Sequence, residues 1–174
     1  MDLFDIKHVT LDQISGKHEL LIISESETWN RDLPNPILRL NRRYSTHKIR
    51  ALIIEKVTQC KDRQCIVGID PGVSVGVSII FCEETFETNV FYQFSKLKVW
   101  LVNRLKDINF TNLVFKIGNG GGSKKDDYIR HIKQNFTVPI LEVDESNTSI
   151  REVGELTIHE QAAIKIAYRS GTEV

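Results

Sequence analysis

The sequence predicts an α/β domain on a mixed sheet with helices on both faces, preceded by an N-terminal extension. Three observations carry this prediction. Two β-branched runs flank an Asp-Pro-Gly turn at residues 70–72, which is typical of a hairpin. Strand-like and helix-like segments then alternate toward the end of the chain. The 174 residues, 41% of them hydrophobic, are enough to bury a substantial core.

The extension is expected to span residues 1–63. A short strand is predicted at residues 19–23, and apolar residues recur at helical spacing over residues 44–58. From Pro36 to Arg63 there are eight Lys or Arg residues and two acidic ones, which leaves a net charge of +6. This segment predicts phosphate contacts through Arg42 and Arg43, although a solvated helix face has the same pattern.

The main domain is expected to span residues 64–174. Three strands are predicted at residues 65–70, 73–81 and 87–94, followed by a helix at 96–106 and a strand at 113–117. A glycine loop at 118–122 leads to a helix at 124–135, a strand at 138–143, a loop at 144–156 and a final helix at 157–169. This order predicts three antiparallel strands followed by parallel ones.

Composition excludes several classes of protein. The formal net charge is zero, so the chain carries no global basic field toward nucleic acid. Cys60, Cys65 and Cys82 lack zinc-ligand spacing, and we expect no disulfide, which favours a cytoplasmic location. No apolar run approaches about 18 residues, and the acidic start is wrong for a signal peptide. We therefore expect no membrane association.

Carboxylates follow two of the predicted strands. Asp70 ends the first strand within apolar sequence, where an unpaired charge is costly to desolvate. Asp144 and Glu145 follow the strand at 138–143, and ligands bind at such strand ends where the chain order switches. Carboxylates brought together repel unless a cation neutralises them, and magnesium suits oxygen ligands and phosphodiester cleavage. A turn-capping role for Asp70 is the alternative.

The last helix and the glycine loop add further candidates. His159 lies in the first turn, where a neutral imidazole can ligate a metal or act as a general base. Glu160 follows Thr157 at capping-box spacing, so it is either a cap or a site residue. The loop can cradle phosphate with its N–H groups, although a flexible loop has the same spacing. The expected phosphate-contacting residues here are Gly118, Asn119, Gly120, Lys124, Lys125 and Arg130.

Taken together, these motifs resemble the ribonuclease H-like superfamily, and within it the RuvC-type Holliday-junction resolvases and the YqgF-type nuclease-like domains. Gly68-Ile-Asp-Pro-Gly72 is similar to the first-strand motif of that group, and residues 143–149 are similar to a YqgF motif. Residues 117–120 are similar to a loop of the YqgF-like domain of Tex proteins. Residues 159–163 are similar to the last catalytic helix. The resemblance covers residues 65–170.

The resemblance implies a metal-dependent endonuclease acting on branched DNA as a homodimer. Magnesium or manganese would be held by Asp70, Glu145 and His159, with His159 at a position that is usually Asp and Glu160 as its substitute. That departure leaves a second function open, namely a YqgF-like module that binds nucleic acid in RNA processing or transcription without cutting it. An ATP-using enzyme of the actin and sugar-kinase type shares Gly-x-Asp-x-Gly, but it needs two large domains.

Overall fold

The structure is a computed structural model that describes residues 20–26, 36–146 and 156–174. The chain divides into two compact units, Met1–Tyr44 and Ser45–Val174. This division comes earlier than the boundary expected at residue 64, because the first helix groups with the larger unit. Residues 147–149 of the YqgF-like motif lie outside the described residues.

The smaller unit contains two short parallel strands, β1 (Leu21–Ser24) and β2 (Ile37–Leu40), with Leu21 opposite Ile37. Strand β1 corresponds to the strand expected at residues 19–23. Strand β2 was not predicted, because four residues between a proline and a polar turn carry too little pattern. The turn after β2 contains Arg42 and Arg43, and both side chains are exposed.

The larger unit contains four helices and six strands among its described residues. Their order along the chain is α1 (Thr46–Thr58), β3 (Gln64–Asp70), β4 (Val75–Phe81), β5 (Glu84–Phe91), α2 (Phe94–Leu105), β6 (Asn112–Gly118), α3 (Ser123–Asn135), β7 (Ile140–Val143), α4 (Ile158–Tyr168) and β8 (Thr172–Glu173). Every element predicted between residues 44 and 169 is present, with ends displaced by up to three residues.

The six strands form one mixed sheet in the order β5-β4-β3-β6-β7-β8. Strands β3, β4 and β5 are antiparallel neighbours, whereas β3, β6 and β7 run parallel and β8 pairs antiparallel with β7. The predicted α/β class with a mixed sheet is therefore confirmed. The chain order reverses between β3 and β6, which is the kind of position where α/β sheets bind ligands.

Both faces of the sheet are covered. Helix α4 packs on the face that carries Gly68 and Ser78, since the Ser78 hydroxyl donates to the Ala163 carbonyl at 2.9 Å. Side chains alternate between faces along a strand. The opposite face therefore carries Val67 and Ile79, which are fully buried as well.

The turn between β4 and β5 contains a disulfide, contrary to expectation. Cys60, which follows α1, is bonded to Cys82 with Cα atoms 5.6 Å apart, whereas Cys65 is free and buried. The expectation of no disulfide was wrong because cysteines 22 residues apart give no local signal of their proximity. Cys82 and Glu83 both have positive φ, 52° and 66°, which closes a two-residue hairpin and starts β5 earlier than predicted.

Candidate active site

The candidate site lies where three parallel strands end together. Strand register places Ile69 opposite Ile117 and Gly118 opposite Val143. Asp70 therefore ends β3 beside the glycine loop that follows β6, and Glu145 comes two residues after β7. The structure brings these segments together at the position where the strand order reverses.

Asp70 and His159 form a hydrogen-bonded pair. The Asp70 carboxylate accepts from His159 Nδ1 at 2.9 Å, across 89 residues of sequence. The Asp70 side chain is only 15% exposed, whereas the His159 side chain is 43% exposed. With Nδ1 donating to the carboxylate, Nε2 of a neutral ring is left as a proton acceptor. Such a carboxylate–imidazole pair is suited to moving a proton.

A glycine in β4 lets helix α4 bring His159 to Asp70. A Cβ atom on Gly76 would lie far inside van der Waals contact with the His159 carbonyl oxygen. Gly76 is also the register partner of Asp70 on the neighbouring strand. The start of α4 therefore rests directly on the sheet beside the carboxylate. This contact explains why a small residue is required at position 76.

The glycine loop positions Glu145. Gly120 N–H donates to Glu145 Oε1 at 3.2 Å, and Glu145 N–H donates to the Asn119 side-chain oxygen at 3.0 Å. A Cβ atom on Gly118 would overlap the Glu145 carboxylate, so the missing side chain provides its space. The loop was predicted to cradle phosphate. In the structure Gly120 N–H and the Asn119 side chain hold Glu145, and phosphate binding by the loop stays a prediction.

Burial raises the pKa of Glu145, and the nearby negative charge of Asp70 adds to this effect against the Gly120 hydrogen bond. The two carboxylates are therefore close enough to repel one another. An acidic pair that is partly desolvated is a common feature of functional sites.

Asp144 has a different role from its neighbour. It accepts hydrogen bonds from the backbone and hydroxyl of Ser146, which hold the pKa of its carboxyl below the usual value. Its own backbone carbonyl accepts from Arg169 Nη1 at 2.7 Å. The positive charge of Arg169, which follows α4, also lowers the pKa of Glu145 and so offsets part of the increase caused by burial. Sequence reasoning missed Arg169 because it belongs to none of the recognised motifs.

Glu160 acts as a helix cap. Its carboxylate accepts from the backbone and hydroxyl of Thr157, at 3.0 and 2.8 Å, and from the Thr88 hydroxyl at 2.8 Å. The capping box is complete, since Thr157 also accepts from Glu160 N–H. Its carboxylate is thus committed to the start of α4. Of the two roles that the sequence left open for Glu160, the structure assigns the cap.

The basic residues that were predicted to contact phosphate differ in whether an acidic side chain already pairs with them. Lys125 donates to Glu142 at 2.9 Å, an interaction that raises the Lys125 pKa, and Arg130 pairs with Asp127 at 2.9 Å. Within the part of the chain that the structure describes, Lys124 makes no ion pair. Lys124 is therefore the predicted contact in α3 whose charge is available. Arg42 and Arg43 belong to the smaller unit, so their contribution stays a prediction.

The donor set fits a magnesium ion held by two carboxylates. Magnesium is commonly bound by one or two carboxylates, with water and substrate phosphate completing its shell. Asp70 and Glu145 are the candidate pair, because the negative charge of Asp70 acts on the Glu145 carboxylate. Across residues 20–26, 36–146 and 156–174, no group of three or more His, Cys, Asp or Glu side chains is arranged to hold a metal. The three-ligand set including His159 is therefore not preformed.

Two comparisons with known proteins find no match for this chain. No protein-family model matches the sequence, and no curated protein matches it significantly. As for the helices in the described ranges, none combines the length and apolar character needed to cross a membrane.

Proposed function

We propose that residues 45–174 form a ribonuclease H-like nuclease domain that hydrolyses phosphodiesters in structured nucleic acid with a divalent metal ion. The observation that carries this proposal is the convergence of Asp70, Glu145 and His159 at the switch point of the sheet. These three side chains come from distant parts of the sequence. The resemblance of residues 65–170 to RuvC-type and YqgF-type domains names the same three positions.

The sheet supports the ribonuclease H-like assignment. Three antiparallel strands are followed by two parallel strands on the other side of β3, and α4 packs across β3 and β4. Asp70 lies at the end of the central strand β3. A metal-dependent nuclease of this architecture needs an acidic residue there. The substrate phosphate approaches the switch point, and a carboxylate at that point would hold the metal ion beside it.

The proposed chemistry divides the work among three residues. Asp70 and Glu145 would hold the magnesium or manganese ion, which when bound supplies a positioned water and stabilises negative charge on the phosphate. His159 is oriented by Asp70, so Nε2 of this partly exposed ring can take a proton from the attacking water. Gly120 N–H holds the Glu145 carboxylate at the glycine loop. Glu160 supports the start of α4 as a cap.

Branched DNA is the proposed substrate. Resolving a four-way junction requires two coordinated cuts, so the proposal includes a homodimer with one site in each protomer. A cytoplasmic location is part of the same proposal. The Cys60–Cys82 disulfide would then persist in a reducing compartment, which is uncommon outside hyperthermophiles.

Cleavage of labelled DNA tests the proposed activity. Four-way junction, duplex and single-stranded substrates are incubated with the full chain and Mg²⁺ or Mn²⁺, beside Asp70→Asn and Glu145→Gln. We expect metal-dependent cleavage of the junction that either substitution reduces by at least about a hundredfold. Glu142→Gln is a matched control, because Glu142 precedes the site and pairs with Lys125 instead. Cleavage that persists in Asp70→Asn would refute the assignment.

A binding module without catalysis is the second candidate. It is favoured by the absence, among the described residues, of a preformed group of three metal ligands. It is also favoured by the histidine at a position that is usually Asp in the family. This function predicts junction binding with an affinity that chelating agents leave unchanged. It also predicts no cleavage of any substrate with either metal.

A further inference from the structure

A shallow groove lies between the start of α2 and one face of α3. It is lined by aromatic and charged side chains, namely Phe94, Lys124, Asp127, Tyr128 and His131. The Phe94 ring stacks on the His131 ring with centroids 4.6 Å apart and planes inclined by 20°. Tyr128 lies against the same phenylalanine with centroids 6.0 Å apart. The groove therefore combines a flat apolar surface with a polar rim.

The groove opens at the same end of the strands as the candidate active site. Helix α2 starts just after β5 ends. The last residue of β5, Phe91, is paired with Val75, the first residue of β4, and the next residue of β4, Gly76, is paired with Asp70. Lys124 N–H donates to the Gly121 carbonyl at 3.2 Å, and Gly121 packs against the Pro71 carbonyl. Pro71 follows Asp70 directly. A nucleic-acid strand that passes over this end of the sheet can therefore contact both the carboxylates and the groove.

Two exposed side chains are relevant to the groove: Lys124 lines it, and Tyr92 lies next to it in the sequence. Tyr92 precedes the groove residue Phe94 by two positions and is 77% exposed. An exposed tyrosine ring can stack on a nucleobase and donate from its hydroxyl. Lys124 is also exposed and is unpaired in the described structure. The negative charge of Asp127 is offset by Arg130 at 2.9 Å. The groove thus offers one uncompensated positive charge, and an exposed ring follows β5 close to Phe94 in the sequence.

We infer that this groove binds an unpaired nucleotide of the DNA substrate next to the phosphate that is cleaved. The nucleobase stacks on the aromatic surface formed by Tyr92 and the groove, and Lys124 contacts the adjoining phosphate. Bases inside a duplex are stacked on their neighbours, so only an unpaired base can enter. The inference rests on the proposed nuclease function. It narrows the substrate to DNA with unpaired bases beside the cleavage position, as at a branch point.

Binding measurements on the Asp70→Asn chain test this without cleavage. Fluorescence anisotropy compares a fully paired DNA duplex with the same duplex carrying a four-nucleotide unpaired bulge. We expect Tyr92→Ala to weaken binding of the bulged DNA about tenfold, the effect of losing one base–aromatic stack. Binding of the paired duplex should change less than twofold. Lys124→Ala should weaken binding of both DNAs and reduce the salt slope by about 1.

Two matched controls are provided by the opposite edge of the sheet. Tyr168 is an exposed tyrosine at the end of α4, and Lys106 is a lysine at the far end of α2. Tyr168→Ala and Lys106→Ala should leave both affinities unchanged. 2-Aminopurine in the bulge should be quenched on binding by the Tyr168→Ala chain, and this quenching should be lost with Tyr92→Ala.

The outcomes separate the inference from the proposed function. Equal losses on bulged and paired DNA in Tyr92→Ala, or no loss on either, would overturn the groove assignment even if wild-type protein cleaves the junction. A selective loss on bulged DNA supports the groove even if no cleavage is found, in which case only the catalytic proposal fails.

Discussion

Glu145 shows at the scale of a single residue how the proposed site differs from its surroundings. Its side chain is placed by one backbone N–H and by the missing side chain of Gly118. Its neighbour Asp144 accepts three hydrogen bonds and is thereby stabilised in its ionised form. Burial and Asp70 instead oppose the ionisation of Glu145. An ionised Glu145 therefore costs stability, which a bound cation would offset.

Replacing Glu145 with Gln should stabilise the fold at neutral pH. Because the folded pKa is raised above the reference value of 4.5, ionisation of Glu145 lowers stability as pH rises through that range. The neutral Gln removes this cost. We expect a higher Tm than wild type at pH 7 and an equal Tm near pH 4, measured by thermal unfolding in a metal-free buffer.

A matched variant makes the Glu145 prediction specific. Asp144→Asn removes a carboxylate whose pKa is lowered, so the wild-type advantage exists above the unfolded pKa and disappears as pH falls. This variant should therefore lower the Tm at pH 7. If both amides shift the Tm in the same direction at pH 7, the distinction between the two acidic residues is incorrect.

At the scale of elements, the approach of α4 to β4 determines where His159 lies. The Gly76 contact with the His159 carbonyl leaves no room for a side chain. Gly76→Ala should therefore push the start of α4 off the sheet and cost about 3 kcal/mol, measured by urea unfolding. Gly122→Ala is the control, since a Cβ there meets no atom within 4 Å and only its positive φ of 55° opposes the change. Since ψ is −129°, this backbone lies outside the left-handed helical region, and the strain should cost about 2 kcal/mol without displacing α4.

The Cys60–Cys82 disulfide joins the end of α1 to the β4–β5 turn. A closed loop of this size stabilises a protein by about 3 kcal/mol through the unfolded chain. The double variant Cys60→Ser/Cys82→Ser should lose about that amount in urea unfolding, and adding a reductant should have no further effect on it. Wild-type protein should lose the same amount when reduced. An unchanged midpoint on reduction would contradict the prediction.

The third cysteine provides a separate chemical prediction. Burial raises the pKa of the Cys65 thiol to about 12, so almost no thiolate exists at pH 8. Native protein should therefore incorporate no iodoacetamide, and reduction should allow two labels on Cys60 and Cys82. Labelling of Cys65 should require denaturant. Mass spectrometry after each treatment counts the labels, and a label on Cys65 in the native protein would show that this strand opens.

Strands and helices with strong periodicity were predicted well, whereas contacts between them were not. The β3–β4 hairpin follows from its β-branched runs and its Pro-Gly turn. The start of β5 was misplaced because Cys82 and Glu83 form a tight turn without the usual glycine or asparagine. The role of Gly118 depends on a side chain 27 positions away, which no local pattern contains. The convergence of Asp70 with His159 was predicted only through family resemblance.

At the scale of the whole molecule, neutral net charge conceals an uneven distribution. The basic segment is divided between the two units, with Arg42 and Arg43 in the smaller unit and the lysines of α1 in the larger one. Near the candidate site, Lys125 and Arg130 are already paired with acids. Local positive charge available to a nucleic acid is therefore limited. The contribution of the smaller unit must show in the salt dependence of binding if it contacts phosphate.

Arg42→Ala/Arg43→Ala in the full chain measures that contribution. Each phosphate contact adds about 0.9 to the slope of log affinity against log salt concentration. If both arginines contact phosphates, the slope for a four-way junction should fall by about 2, with little change in Tm because both side chains are exposed. Lys106→Ala/Lys133→Ala removes the same charge from two helix ends at the opposite edge of the sheet and should leave the slope unchanged. Equal slopes for the arginine variant and wild type would remove Arg42 and Arg43 from the phosphate contacts, and the basic turn after β2 would then be a solvated surface.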